Sequence, residues 1–297
     1  MKIIVTGSLG NISRPLAEIL IAAGHVVTVI SSNPAKQQEI KALGAIPAIG
    51  ELEDVPFLIE TFTNADAVYC MTPSNITKDQ DQISYYSKIG NSYAQAIRQT
   101  GIKHAVYLSS FGAHLDKGTG IILGSHHVEG ILNELPDTTL THIRPASFYY
   151  NLYAFADMIK EAGFIAANYG GGDNVLWVSP LDIAAAVAEE IIGPGGNKIN
   201  IRYVASDERS CNEVARILGE AIGKPDLKWL VVSDEQAIDA LEAKGLPTLF
   251  VAHLVELYAA LHKGILTEDY YKHPPVSMGK VKLEDFAKDF ALVFNKK

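Results

Sequence analysis

The stretch K-I-I-V-T-G-S-L-G-N-I-S, Lys2 to Ser13, decides how the rest of the chain is read. Residues 2–6 form a short β-branched run of the kind that makes a buried strand, and a glycine-bearing turn follows that opens into a helical pattern. Gly7 permits the tight turn and Gly10 lets the backbone approach a bound group closely. Ser13 stands where a third glycine would allow close helix–strand packing, and it is small enough to serve. Strand, loop and helix N-terminus in that order make a cradle for a pyrophosphate, whose charge is favoured by free amides and by the helix dipole. The residues expected to hold it are Gly7, Ser8, Leu9, Gly10, Asn11 and Ile12.

Outward from this loop, β-branched runs alternate with helical patterns. Residues 26–31, 67–71, 104–109 and 139–144 are predicted strands, and apolar spacing such as Leu16, Ile19, Leu20 and Ala23 marks the helices between them. The alternation predicts an α/β fold, a doubly wound parallel (Rossmann) sheet with ligands over the carboxyl ends of its strands. After Arg144 the pattern breaks at Pro145, an aromatic cluster and the run Gly170, Gly171, Gly172. The expected organisation is a dinucleotide-binding domain over 1–150, to which 175–205 return. A smaller, mostly helical substrate lobe is expected from 151–174 and 206–297.

The end of the second strand selects the cofactor. A carboxylate there would bind the ribose hydroxyls of NAD, but the chain has Ser31, Ser32 and Asn33, with Lys36 a turn later and no arginine following. This favours NADP, with NAD as the alternative. Met71, Thr72 and Pro73 should lie beneath the nicotinamide ribose. Segments 110–112 and 145–151 should border the substrate, with Ser110, Tyr149 and Tyr150 as hydrogen-bond donors and His126 or His127 as a proton supplier.

These features resemble the NmrA-like group of atypical short-chain dehydrogenase/reductases. The resemblance rests on T-G-S-L-G-N-I-S at Thr6, S-N-P-A-K at Ser32, L-S-S-F-G at Leu108, H-I-R-P-A-S-F-Y-Y-N at His142, L-D-I-A at Leu181 and E-D-F-A at Glu284. It implies an NAD(P)-binding first lobe closed by a small C-terminal lobe, in a group that includes NADPH:quinone reductases and non-catalytic redox sensors. The wider superfamily uses Tyr-x-x-x-Lys for proton exchange, and no tyrosine here has a lysine four residues later. If Glu129 matches the glutamate after that motif, Ile121 and Ser125 stand in place of the pair.

The leading expectation is therefore an NADP(H)-dependent reductase of a small quinone or conjugated carbonyl, whose delocalised anion needs hydrogen-bond donors more than a strong acid. The alternatives are a dinucleotide-responsive regulator with a protein partner and, third, a nucleotide-sugar epimerase or dehydratase. Among 297 residues, 34 acidic against 25 basic side chains give a net charge of -9, which argues against nucleic acid. Two cysteines, no leader pattern and no apolar run of span length suggest a cytoplasmic protein outside the membrane. No metal is expected, since His126, His127 and Glu129 lack ligand spacing.

Overall fold

The computed structural model describes residues 1–76, 81–193, 196–275 and 277–296. Its first half runs β1 (Lys2–Val5), α1 (Ser13–Ala22), β2 (Val26–Ser31), α2 (Gln37–Ala42), β3 (Ile46–Ile49), α3 (Val55–Phe62), β4 (Ala67–Cys70), α4 (Gln82–Thr100), β5 (His104–Leu108), α5 (Ile122–Asn133) and β6 (Thr139–Pro145). The second half adds β7 (Ser147–Phe148), α6 (Ala156–Ala162), β8 (Ile165–Ala167), β9 (Asn174–Val178), α7 (Pro180–Ile192), β10 (Ile199–Val204), β11 (Asp207–Ser210), α8 (Cys211–Ala221) and β12 (Trp229–Val231). Four helices close the chain: α9 (Asp234–Ala243), α10 (Thr248–His262), α11 (Glu268–Lys272) and α12 (Leu283–Phe294).

Seven parallel strands associate in the order β10-β6-β5-β4-β1-β2-β3. The chain winds one way through β2 and β3, then crosses to β4 and winds the other way, so a crevice opens over the carboxyl ends of β1 and β4. Alternate strand residues feed the two faces. Ile3, Val5 and Tyr69 pack with Leu16 and Leu20 of α1 and Ile183 and Val187 of α7, while Ile4, Val68 and Cys70 pack with α3, α4 and α5. β3 escapes the sequence pattern because it is an edge strand carrying Pro47, with no residue fully buried, and an edge tolerates the missing amide donor.

The return of 175–205 to the first lobe divides. α7 packs on α1 and β10 extends the main sheet beside β6, but β9 joins β7 and β11 in a separate three-stranded sheet. β8 and β12 pair in a further two-stranded sheet. Asp182 sits in the first turn of α7 and accepts from Ser206 Oγ at 2.6 Å, Lys280 N at 2.9 Å and Val281 N at 3.1 Å, which straps the approach to α12 onto α7. Among the described residues no single helix is long and apolar enough to cross a membrane.

One buried ionic network joins the parts. At the end of β6, Arg144 donates through Nε and Nη2 to the two oxygens of Glu129 in α5, at 3.0 and 2.7 Å. Its Nη1 reaches the Tyr203 hydroxyl of β10 at 3.1 Å and Asp269 of α11 at 3.3 Å, and Tyr203 donates to Asp269 at 2.5 Å. The side chains of Arg144 and Glu129 are 5% and 8% exposed. Burial works against the Arg144 charge, yet the Glu129 and Tyr203 contacts outweigh it and hold the guanidinium protonated. Glu129→Ala removes the bidentate partner and leaves the buried cation only Tyr203 and the longer contact with Asp269, which should cost about 3–5 kcal/mol in urea unfolding. Glu129→Leu combined with Arg144→Met should cost far less, and equal losses in the two variants would contradict this account.

Candidate functional site

The loop after β1 is shaped by contacts that admit no side chain. Gly7 has φ +87°, and a Cβ there would lie 2.6 Å from Ser13 Oγ and 2.9 Å from Met71 Cγ. Ser8 also takes a positive φ of 57°, anchored by its amide on Ile30 O at 2.9 Å and its hydroxyl on Ser31 Oγ at 2.9 Å. Ser13 takes up the role of the third glycine by donating to Thr6 O at 2.8 Å, which draws α1 onto the strand end. Across the crevice, Met71 N donates to Thr6 Oγ1 at 2.9 Å and Tyr93 donates to Met71 O at 2.7 Å, so the ends of β1 and β4 are fixed together. No side chain caps α1. Arg14 N donates to Gly10 O at 3.0 Å and Pro15 has no amide hydrogen, so an anion would be met by the loop amides ahead of that turn, and the bare backbone at Gly7 and Gly10 gives it room.

From this loop a cavity of about 540 Å³ extends over the carboxyl ends of β4, β5 and β6. Of the residues expected at the cofactor, Gly7, Gly10, Asn11, Ile12, Met71, Thr72 and Pro73 line it. Ser8, Leu9, Ser31, Ser32, Asn33 and Lys36 lie outside it. Leu9 packs against the core, Ser31 is buried at the end of β2, and Asn33 accepts from Ala35 N at 3.0 Å. Lys36 pairs with Glu39 at 2.8 Å.

On the substrate side Ser110 and Tyr150 line the cavity, together with Phe111, Phe148 and Asn151. The two serines after β5 differ. Ser109 commits its hydroxyl hydrogen to Glu129 at 2.5 Å, whereas the Ser110 hydroxyl makes no hydrogen bond among the described residues and is available as a donor. Tyr149 departs from expectation: it is 1% exposed, lies between Trp177 and Phe286, and donates to Val281 O at 3.3 Å, so it is core rather than substrate wall. The histidines also lie apart from the cavity. His126 Nδ1 is 2.9 Å from Ala113 O, and His127 Nδ1 is 3.5 Å from Ser87 Oγ, so neither ring is directed to the crevice as a proton supplier. Among the described residues no group of His, Cys, Asp and Glu side chains could hold a metal ion.

Several lining residues were invisible to the linear reading. Tyr86 enters from α4, its ring seated where any side chain at Gly124 of α5 would stand, 2.8 Å away. Ile121 and Ser125, standing at the positions of the superfamily's tyrosine and lysine, form the adjoining wall. α10 covers the cavity with Phe250, Leu257 and Tyr258, brought close because Gly120, at φ +56°, has no Cβ to strike the His253 carbonyl, which would be 1.9 Å away. Tyr69 and Trp177 line the cavity too, and the Tyr69 hydroxyl and Trp177 Nε1, both buried, have no hydrogen-bond partner among the described residues. No Asp, Glu, Lys, Arg or His lines the cavity among the described residues. Burial, with Tyr86 nearby, raises the pKa of Tyr150, and burial likewise raises that of Tyr86 against its bond to Ser74. Both phenols therefore stay protonated at neutral pH.

The comparisons agree with this geometry. The chain is 27% identical over 259 residues to an NAD(P)H azoreductase of Xenophilus azovorans, covering 86% of each chain. It is 25% identical over 252 residues to a (4-alkanoyl-5-oxo-2,5-dihydrofuran-3-yl)methyl phosphate reductase of Streptomyces griseus, covering 85% of this chain and 84% of the relative. In fold it is similar to an NADPH-dependent quinone oxidoreductase of Escherichia coli solved with NADPH, with a TM-score of 0.81 and 21% identity, covering 99% of this chain and 100% of that one. The sequence pattern of the NmrA-like family matches residues 1–263, and the chain belongs to that family.

Proposed function

We propose that the chain is an NADPH-dependent reductase of flat, uncharged, conjugated acceptors, with quinones and conjugated carbonyls as the substrate class. The observation that carries this reading is the cavity itself, which begins at the glycine loop and continues between aromatic side chains with no charged side chain lining it among the described residues. Its bare-backbone cradle and uncapped helix suit a pyrophosphate. The azoreductase relative and the NADPH-bound structural counterpart support a nicotinamide cofactor and a planar acceptor. A phosphorylated substrate of the kind named for the second relative would call for a cation, and none lines the cavity among the described residues.

A bound nicotinamide supplies the hydride. The chain's own part is to hold the acceptor flat and to donate hydrogen bonds to the oxygen on which charge develops. Ser110 and Tyr150 have hydroxyls free to do so, and Tyr86 stands beside them. Burial keeps the phenols protonated, so they can donate a hydrogen bond to an oxyanion and are poor bases toward an alcohol. The Ile121 and Ser125 wall contributes no lysine to alter this.

Acceptor-dependent oxidation of NADPH should appear with quinones, enones and azo dyes and be absent with phosphorylated analogues. Tight NADPH binding without turnover of any acceptor would overturn the reading in favour of a sensor. Tyr150→Phe and Ser110→Ala should each lower kcat by roughly 10-fold or more with cofactor affinity unchanged, while His126→Ala and His127→Ala should retain activity. For the loop, a Cβ at Gly10 would lie 3.1 Å from Gly7 O, tighter than an ordinary contact. Gly10→Val should lose NADPH binding in calorimetry, with circular dichroism checking that the variant is folded.

A further inference from the structure

Arg14, Lys36 and Glu39 come from the helical elements on either side of β2 and meet in one ion-pair cluster. Arg14 lies in the first turn of α1, Lys36 in the helical turn Pro34–Lys36, and Glu39 in α2. One carboxylate bridges both cations: Glu39 Oε1 is 2.6 Å from Arg14 Nη1, and Oε2 is 2.8 Å from Lys36 Nζ. Arg14 Nε is held more loosely, 3.3 Å from Glu18 in its own helix. The segment directly after β2, residues 32–42, holds no arginine; the fold brings one from α1.

This is the corner of a doubly wound fold that receives the adenosine ribose, where a carboxylate selects the free 2′-hydroxyl and a cation selects the 2′-phosphate. The chain has both kinds of group there, already paired with each other. The contacts with Lys36 and Arg14 hold the Glu39 carboxyl below its ordinary range, so it is ionised at neutral pH. All three side chains are between 38% and 45% exposed, so the pairs can open without disturbing the core.

We infer that Glu39 is a specificity-determining residue of the cofactor site: it occupies Arg14 and Lys36, competes with the 2′-phosphate for them, and so limits the preference for NADPH over NADH. A phosphate that displaces the carboxylate gains two charge-assisted contacts but must break two of the same kind first. A cofactor with a free hydroxyl leaves the bridge intact and gains and loses little. The inference rests on the proposed NADPH reading and extends it to a residue on the rim.

Calorimetric titration of the full chain with NADPH, NADH, 2′,5′-ADP and 5′-AMP tests it without reference to turnover. Glu39→Gln should tighten NADPH and 2′,5′-ADP roughly three- to tenfold and leave NADH and 5′-AMP within about twofold, since exposed ion pairs are individually weak. The gain should shrink as salt screens the cluster. Arg14→Gln should weaken the same two ligands selectively. In the Arg14→Gln, Lys36→Gln background, Glu39→Gln should have no effect. A gain that persists there would mean general repulsion of the phosphate and would overturn the competition, as would an unchanged or weakened preference in the single variant. If the unaltered chain binds neither NADPH nor 2′,5′-ADP, the NADPH reading itself fails. If it binds both tightly and Glu39→Gln shifts nothing, only the role of Glu39 fails.

Discussion

The bidentate contact between Arg144 and Glu129 is the constraint on which the architecture turns. A guanidinium and a carboxylate taken together out of water gain little over apolar residues of equal volume, yet neither tolerates the loss of the other. The pair therefore acts through geometry. β6 supplies the arginine, α5 the glutamate, β10 the tyrosine and α11 the aspartate, so four elements distant in sequence must arrive in one arrangement for every charge to be satisfied. Ser109 carries the same constraint to the cavity, because its hydroxyl hydrogen is held on Glu129. The small lobe is thus set against the sheet by the same atoms that orient the floor of the site.

Above that floor, the reversal of winding between β1 and β4 opens the crevice and α10 closes it. Two glycines do the fitting. Gly124 yields space to the ring of Tyr86, and Gly120 yields space to the His253 carbonyl, so an aromatic wall and an aromatic cover can approach within contact distance. The buried ion pair and the neutral cavity are consistent with each other, because Arg144 is saturated by its partners and presents no unpaired charge to the cavity above.

The fold was legible because the strands of a doubly wound sheet are buried on both faces and separated by helices of regular spacing; both signals are local. The glycine loop was legible because the turn it makes demands particular residues at particular positions. β3 was not, since an edge strand half open to solvent needs neither a β-branched run nor a full set of donors, and the pairing of β9 with β7 and β11 was not, because a strand's sequence does not name its partner. In the site, residues directly after strands were anticipated, as Ser110 and Tyr150 illustrate. Tyr86, Trp177 and α10 were not, because their approach depends on the close packing of distant segments rather than on any local pattern. Tyr149 misled for a related reason: neighbouring residues in a helical turn point in different directions, and the adjacent Tyr150 took the cavity.

Charge is divided along the site in a way that suits a reductase of uncharged acceptors. In the proposed reading an anionic cofactor would be met by amides of the glycine loop and by the exposed cations Arg14 and Lys36, a local attraction on a chain whose net charge is -9. The reacting end lies among aromatic rings, where the low dielectric strengthens each hydrogen bond to a developing oxyanion and disfavours any acceptor that arrives already charged. A phenol raised in pKa by burial is poorly suited to abstract a proton but remains a dependable donor across the neutral range. At the positions of the superfamily's tyrosine and lysine, Ile121 and Ser125 bring no ammonium that would lower the phenol's pKa.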